Sequence, residues 1–290
     1  MSPNPLVGVA LILLSGFMLA SHDALSKQLA LLYSVFLIVW VRNLTQLVVM
    51  TLGFAPRMGL NLMRTRRPVL QVARAMSQVG ISVFLLIGLR YIPLGEATAV
   101  MFLSPLFVTL FSVLVLKERV SGGQWASVLL GFVGVLIIVR PGGELFTPAI
   151  LLPLAASLCL SGYQLLTRRL NGTDHPITTN YLSGLVGTLL FTLAIPFVWV
   201  MPEWRHLAMM VGMGVLGMCG HLLLTRAYAY GSAATLAPFT YGQIFFATLL
   251  GALVFGYMPD ALGLLGMAVL IASGGLSVLL RRLSAGRPRP

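Results

Sequence analysis

Leu89-Arg90-Tyr91-Ile92-Pro93-Leu94-Gly95-Glu96-Ala97 has a counterpart late in the chain, Thr225-Arg226-Ala227-Tyr228-Ala229-Tyr230-Gly231-Ser232-Ala233. A second pair of segments, Ser26-Lys27-Gln28-Leu29 and Thr167-Arg168-Arg169-Leu170, is separated by a similar offset of about 140 residues. A duplication whose loops drift slightly in length produces this pattern. Ten apolar stretches surround these segments: Leu6–Ala24, Val35–Phe54, Val69–Leu89, Ala97–Leu116, Val120–Val139, Ala149–Leu166, Ile177–Val200, Leu207–Leu224, Ala233–Phe255 and Leu262–Leu280. Each run approaches the ~20 residues that cross hydrocarbon as a helix, and none alternates as a barrel strand does. Helices also satisfy their own backbone groups, which lipid demands. The pattern predicts an all-α membrane protein of ten transmembrane helices, five per repeat. An odd number per repeat inserts the second copy upside down, giving two inverted five-helix repeats.

Composition agrees. Hydrophobic residues make up 58% of the 290 and charged residues only 9%, against about a quarter charged in a soluble domain. The mean hydropathy is +0.95. The net charge of +12 would suggest nucleic acid in a soluble chain. Here it is explained by placement, and no nucleic-acid partner is expected. With both ends on one side, Arg57, Arg64, Arg66, Arg67, Lys117, Arg119, Arg168, Arg169, Arg281, Arg282, Arg287 and Arg289 share that side, while Lys27, Arg90, Arg140 and Arg205 lie opposite. The positive-inside rule then makes both termini cytoplasmic. The first run lacks a basic leader and carries His22 and Asp23, so it is not read as a cleaved signal. Cys159 and Cys219 sit inside apolar runs and are read as packing residues.

Several motifs carry a family resemblance. They are Gly95 with Glu96-Ala97-Thr98-Ala99, Ser104-Pro105-Leu106-Phe107, Leu116-Lys117-Glu118 and the Gly131/Gly134 helix; the second half keeps Gly231 with Ala233-Ala234-Thr235, and Gly266 to Gly274. The whole chain resembles the drug/metabolite transporter superfamily, in its EamA-type branch, and looks closest to bacterial aromatic amino-acid exporters. It departs at Phe255-Gly256-Tyr257, where that family usually places a glutamate. The resemblance implies one EamA-like repeat over residues 1–140, a second over 148–282, and a cytoplasmic tail over 283–290. It also implies export of small metabolites by alternating access, amino acids with aromatic or apolar side chains foremost. A multidrug or other metabolite exporter is the alternative. An integral membrane enzyme or a channel is the rival from another class, but the chain has no HExxH, catalytic dyad, phosphate loop or filter-like loop. No cofactor or metal is expected, and a monomer and a homodimer both remain open.

A carrier of this design places its site near the middle of the bilayer, between the repeats and beside interrupted helices. Pro105 in the fourth span, and Pro238 with Gly242 in the ninth, are the candidate breaks, because proline leaves the carbonyl four residues back without its donor. Gln78, Gln243 and Tyr241 fall near mid-membrane at ~1.5 Å per residue. An amide donates and accepts, which suits a zwitterion, although a bond between helices is the plainer use. Ser104 and Met101 flank the break; His22 and Tyr163 occupy equivalent places in the two repeats. These seven, His22, Gln78, Met101, Ser104, Tyr163, Tyr241 and Gln243, are the candidate substrate contacts. His221 is a weaker one. Trp40, Phe102, Phe107 and Phe245 are candidate aromatic walls, whereas Tyr33, Tyr91, Trp125, Trp199 and Trp204 read as interfacial anchors.

Intramembrane charges need partners. Asp23, Arg42 and Glu96 fall at similar depth and are expected to pair; Asp23 with Lys27 at i,i+4 is a local alternative. Arg74 is placed to snorkel toward the cytoplasm. With both deep acids tied to cations, a carrier moving solute down its own gradient is expected.

Overall fold

A computed structural model describes residues 5–114, 117, 122–140, 142–143, 146–170, 173–227, 230, 236 and 239–285. The described helices are α1 (Pro5–Ala30), α2 (Val35–Met58), α3 (Pro68–Gly88), α4 (Leu94–Met101), α5 (Ser104–Leu114), α6 (Gly122–Val139), α7 (Leu151–Leu170), α8 (Pro176–Thr192), α9 (Ile195–Val198), α10 (Trp204–Ala227), α11 (Gly242–Phe255) and α12 (Ala261–Ala285). They make ten crossings once α4 joins α5, α9 caps α8, and the residues just before Gly242 join α11. Pro238 lies outside the described residues, as do Leu116, Glu118 and the stretch 231–235.

Element boundaries follow local chemistry. Pro68 and Pro176 start α3 and α8 at positions where no N–H is needed, and the His175 ring accepts from the Ile177 amide at 3.3 Å. The seventh span is interrupted where Pro196 offers no backbone donor, so α8 stops at Thr192 and only a short turn follows. The fourth span breaks at Phe102-Leu103, and α5 restarts at Ser104-Pro105. Gly256, at φ 67°, closes α11 in the left-handed region that a side chain disfavours.

Helix packing carries the signature of inverted duplication. α1 lies along α10 as α7 lies along α3; α1 meets α11 as α7 meets α4 and α5; α2 meets α10 as α8 meets α3. The pairs α2–α8 and α6–α12 each join a helix to its own counterpart. A two-fold axis between the repeats generates all five relations.

At the α6–α12 pair a Cβ on Gly266 would lie 2.6 Å from the Gly134 carbonyl oxygen, and one on Gly134 would lie 2.8 Å from that of Gly266. Lipid tails are as apolar as leucine, so close backbone approach supplies the attraction there. A dry cluster of Leu29, Leu37, Ile38, Leu86, Phe191, Met210 and Met213 packs the ends of α1, α2, α3, α8 and α10 on the face that carries Arg90 and Arg205. This is termed the far face. The opposite, basic face carries Arg57, Arg64, Arg66, Arg67, Arg168 and Arg169.

On the basic face the α7–α8 loop is clamped to α3. Asp174 accepts from the Arg66 amide at 3.0 Å, from Gln71 Nε2 at 2.8 Å and from the Thr65 hydroxyl. Slight burial opposes the shift, but these donors and the Arg66 charge hold the Asp174 carboxyl below the usual carboxylate range. On the far face Arg140 pairs with Asp260, whose carboxyl is lowered first by that bond and then by the Gly263 amide.

Candidate functional site

The repeats enclose a cavity of about 540 Å³. His22 and Asp23 come from α1, Arg42 and Gln46 from α2, Gln78 and Ser82 from α3, and Met101, Phe102, Ser104 and Pro105 from the α4–α5 break. Tyr163 and Gln164 come from α7, Gly217 and His221 from α10, and Tyr241 and Gln243 from the start of α11. All seven candidate contacts named from the sequence, His22, Gln78, Met101, Ser104, Tyr163, Tyr241 and Gln243, thus line one cavity. Of the breaks, Pro105 lines it, and Gly242 lets α11 press onto Leu13, 2.9 Å from where a Cβ would stand. Exposure is graded along the walls. Asp23, Ser82, Leu85 and Leu86 are buried, while Gln164 and His221, nearer the basic face, are exposed.

A polar cluster occupies the buried end. His22 Nδ1 lies 3.0 Å from Asp23 Oδ1, and Gln243 Nε2 donates to Asp23 Oδ2 at 3.3 Å. Arg42 Nη2 donates to Ser82 Oγ at 2.8 Å and to Asn43 Oδ1 at 3.2 Å. Arg42 Nε and Gln78 Oε1 are buried without a hydrogen-bond partner. Phe102 and Tyr241 stack at a tilt, 5.0 Å between centroids, and give one wall an aromatic face.

The expected Asp23–Arg42–Glu96 grouping is not what forms. Among the described residues no ion pair joins Arg42 to either acid; Asp23 takes the adjacent imidazole instead. Lys27 does not reach back to Asp23 either. Its Nζ donates to the Leu89 and Ile92 carbonyls, both at 2.7 Å, where the turn after α3 leaves them unpaired, and it neighbours Glu96. Glu96 is bonded by Tyr257, the last residue of the Phe255-Gly256-Tyr257 segment that departs from the family pattern.

Arg74 does not snorkel. It is 2% exposed, and its guanidinium donates to Thr167 Oγ1 (2.7 Å), Thr179 O (3.1 Å), Ser183 Oγ (2.6 Å), Tyr163 Oη (2.5 Å) and Asn180 Oδ1 (3.1 Å). Its carbon lies 4.2 Å from the Tyr163 ring centre. Burying arginine costs at least ~2.5 kcal/mol on insertion scales. Hydrogen bonds to a charged group return roughly 1.5–3 kcal/mol each, so five neutral partners suffice without a carboxylate.

Three aromatic assignments also change. Trp40 Nε1 donates to Thr192 at 2.8 Å and its ring meets Trp199 edge-on, so it faces the α8 end and not the cavity. Phe107 packs beside the Leu103–Leu270 cluster, and Phe245 is 61% exposed while its neighbour Phe246 turns inward onto Phe17. Conversely, Gln46, Gln164 and Ser82 line the cavity unannounced. An amide inside an apolar run, the signal that picked out Gln78, was present for both glutamines.

The arrangement can hold a solute by an aromatic face, several amides and a cationic corner, between the two repeats. Comparison with known proteins places it. A riboflavin transporter of Rhizobium johnstonii is 33% identical over 239 residues, 82% of this chain and 78% of that protein. A riboflavin transporter of Vibrio cholerae is 32% identical over 197 residues, covering 67% of this chain and 66% of the relative, just under two thirds of its length. An S-adenosylmethionine uptake transporter of Rickettsia bellii is 25% identical, with 91% of both chains covered. The model of the EamA-like transporter family matches twice, over residues 6–140 and 147–279. The chain is therefore a multi-pass membrane transporter that belongs to the EamA-like family.

Proposed function

We propose that this protein carries neutral or anionic planar heteroaromatic metabolites, flavins foremost, across the bacterial inner membrane by alternating access, with its termini and basic face cytoplasmic. The observation that carries the reading is the composition of the cavity. Gln46, Gln78, Gln164 and Gln243 offer paired donors and acceptors, the kind of edge that an imide or diazine ring presents, and the Phe102–Tyr241 wall offers a stacking face. A volume of about 540 Å³ suits a ligand of that size, since such pockets run from about 300 to 1,000 Å³.

Charge narrows the class further. Arg42 in the wall and Arg74 behind Tyr163, against Asp23, leave at least one net positive charge around the cavity, and a proton on either histidine adds to it. A cation ~8 Å from that charge is disfavoured by roughly 2 kcal/mol at an effective dielectric of 20, on the order of thirtyfold. Lipophilic cations and sulfonium compounds are therefore poor candidates, although one relative carries S-adenosylmethionine. An aromatic amino acid is the second reading. It is favoured by the closeness of the Asp23 carboxylate, which suits an ammonium, to the Arg42 cation, which suits a carboxylate.

Counterflow in proteoliposomes separates these. Exchange of labelled riboflavin, undiminished by excess phenylalanine or tetraphenylphosphonium, is expected. Exchange of phenylalanine alone would move the assignment to the second reading, and exchange of the phosphonium alone would defeat both.

A further inference from the structure

The cavity contains a titratable pair that solute binding does not by itself explain. His22 and Asp23 sit at its buried end, 9% and 8% exposed, with Nδ1 and Oδ1 3.0 Å apart. The other ring nitrogen, Nε2, makes no hydrogen bond among the described residues, and the imidazole edge carrying it faces Gly217 of α10, 3.7 Å from where a Cβ would stand. A side chain there would cover that nitrogen. The pair also bridges the repeats: His22 and Asp23 belong to the first, Gly217 and Gln243 to the second.

We propose that the His22–Asp23 pair is a proton-binding site that couples anionic solute to proton movement. This rests on the carrier reading above. The lone pair of Nε2 takes a proton from water in the cavity, the ring becomes imidazolium, and the Asp23 carboxylate, already hydrogen bonded at both oxygens, balances the new charge. Imidazole is the side chain whose ordinary protonation range falls at physiological pH. No covalent bond changes, and the proton leaves by the same nitrogen when the cavity faces the other side.

The groups around the pair fix the sign of coupling. Arg42 neighbours Asp23 from α2, and the cavity around the pair is lined by the neutral Gln78 from α3, Tyr163 from α7, His221 from α10, and Tyr241 and Gln243 from α11. Lys27, further along α1, neighbours Glu96, and Arg74 stands behind Tyr163 toward the basic face. The permanent surplus is positive, so a proton on His22 raises the attraction for an anion and leaves a neutral solute almost indifferent. By linkage, a bound anion raises proton affinity by the same factor. Anions then travel with a proton, and the carrier is driven by the proton gradient for them and by the solute gradient for neutral compounds.

The test uses the full chain in lipid nanodiscs with two probes sharing one ring, lumiflavin and lumiflavin-3-acetate, whose carboxylate stays ionised between pH 6 and 8. The expectation is about tenfold tighter binding of the acetate at pH 6 than at pH 8, with less than twofold change for lumiflavin. His22→Gln abolishes the difference, and His206→Gln, outside the cavity beside Tyr33, keeps it. Equal pH dependence for both probes, or a dependence that survives His22→Gln, overturns the proposal. Should neither probe bind wild type, the flavin reading fails, and a substrate-free measurement decides the proton site. Infrared difference spectra between pH 6 and 8 are expected to show a histidine protonation band lost in His22→Gln and altered in Asp23→Asn. A band unchanged in both variants overturns it.

Discussion

Two corners of this molecule are built from equivalent helices and closed in opposite ways. On the basic face α3 meets α7 and α8; on the far face its counterpart α10 meets α1 and α2. The register of the Leu89 and Thr225 segments pairs Arg74 with Met210, and that of Ser26 and Thr167 pairs Tyr163 with His22. Thr167 accepts from Arg74 at 2.7 Å, while its counterpart Ser26 donates to Met213 Sδ at 2.9 Å. Asp174, clamped by Gln71 and Arg66, corresponds to Tyr33, which is bonded to His206 at 2.9 Å. One scaffold thus carries a polar cage around a cation at one corner and a dry methionine-leucine plug at the other. The backbone relation survives because each corner partners the polar groups at its centre: the Arg74 guanidinium makes five hydrogen bonds, and Ser26 in the plug engages Met213 and the His22 carbonyl with its hydroxyl. Opening differs accordingly. Water can replace the bonds to Arg74 one for one, whereas opening the plug exposes apolar surface at roughly 25 cal/mol per Å². The exposed lining at Gln164 and His221 lies on the polar side.

Moving the cation to the wrong corner is expected to have the largest effect. Met210→Arg puts a charge among Leu29, Leu37 and Ile38 with no cage, a cost of several kcal/mol, and no monodisperse protein should be recovered on size-exclusion chromatography. Gly266→Leu, which forces side-chain atoms into the Gly134 backbone outside both corners, should lower the thermal midpoint strongly while leaving the cavity residues untouched. If instead the α6–α12 seam tolerates it, close backbone contact is not what joins the repeats there. Arg74→Met, which makes the polar corner resemble the dry one, removes five hydrogen bonds and should cost about 2–4 kcal/mol in denaturant titration, with Arg74→Lys intermediate. Gln78→Ala and Gln243→Ala, between the corners, should each reduce riboflavin counterflow about tenfold at unchanged membrane expression. The smallest effect is at the loop clamp. Asp174→Asn should cost roughly 1 kcal/mol near neutral pH. Because the folded carboxyl is depressed, this contribution is present above the unfolded carboxylate pKa of about 3.9 and is lost as pH falls through the folded value, so wild type and variant should converge in strong acid.

The sequence made the ten spans and their inversion legible because hydrocarbon imposes one length and one secondary structure. It also indicated which polar residues face inward, since an amide inside an apolar run has nowhere else to go: Gln78 and Gln243 reached the cavity for that reason. Rotation about an all-round apolar helix is another matter. Trp40 and Phe245 carry no period that distinguishes lipid, neighbour and cavity, and both turned away. The Arg74 cage was hidden for a further reason. Its partners, Thr167, Thr179, Asn180 and Ser183, are small and ordinary along the chain, and they converge only when α7 and α8 fold against α3. Charge pairing by depth failed similarly. Depth put Asp23 near Arg42, but the adjacent imidazole and the freed carbonyls after α3 compete better for Asp23 and Lys27.

Alternating access around the shared cavity requires the dry corner to open during turnover. In a background with Cys159 and Cys219 replaced by serine, Met213→Cys can be probed from the far face with a membrane-impermeant maleimide while riboflavin counterflow proceeds. Labelling is expected to be slow without substrate and to accelerate with it, tracking the exchange rate. Continued exchange with Met213→Cys never labelled, or labelled equally fast with and without substrate, would contradict it.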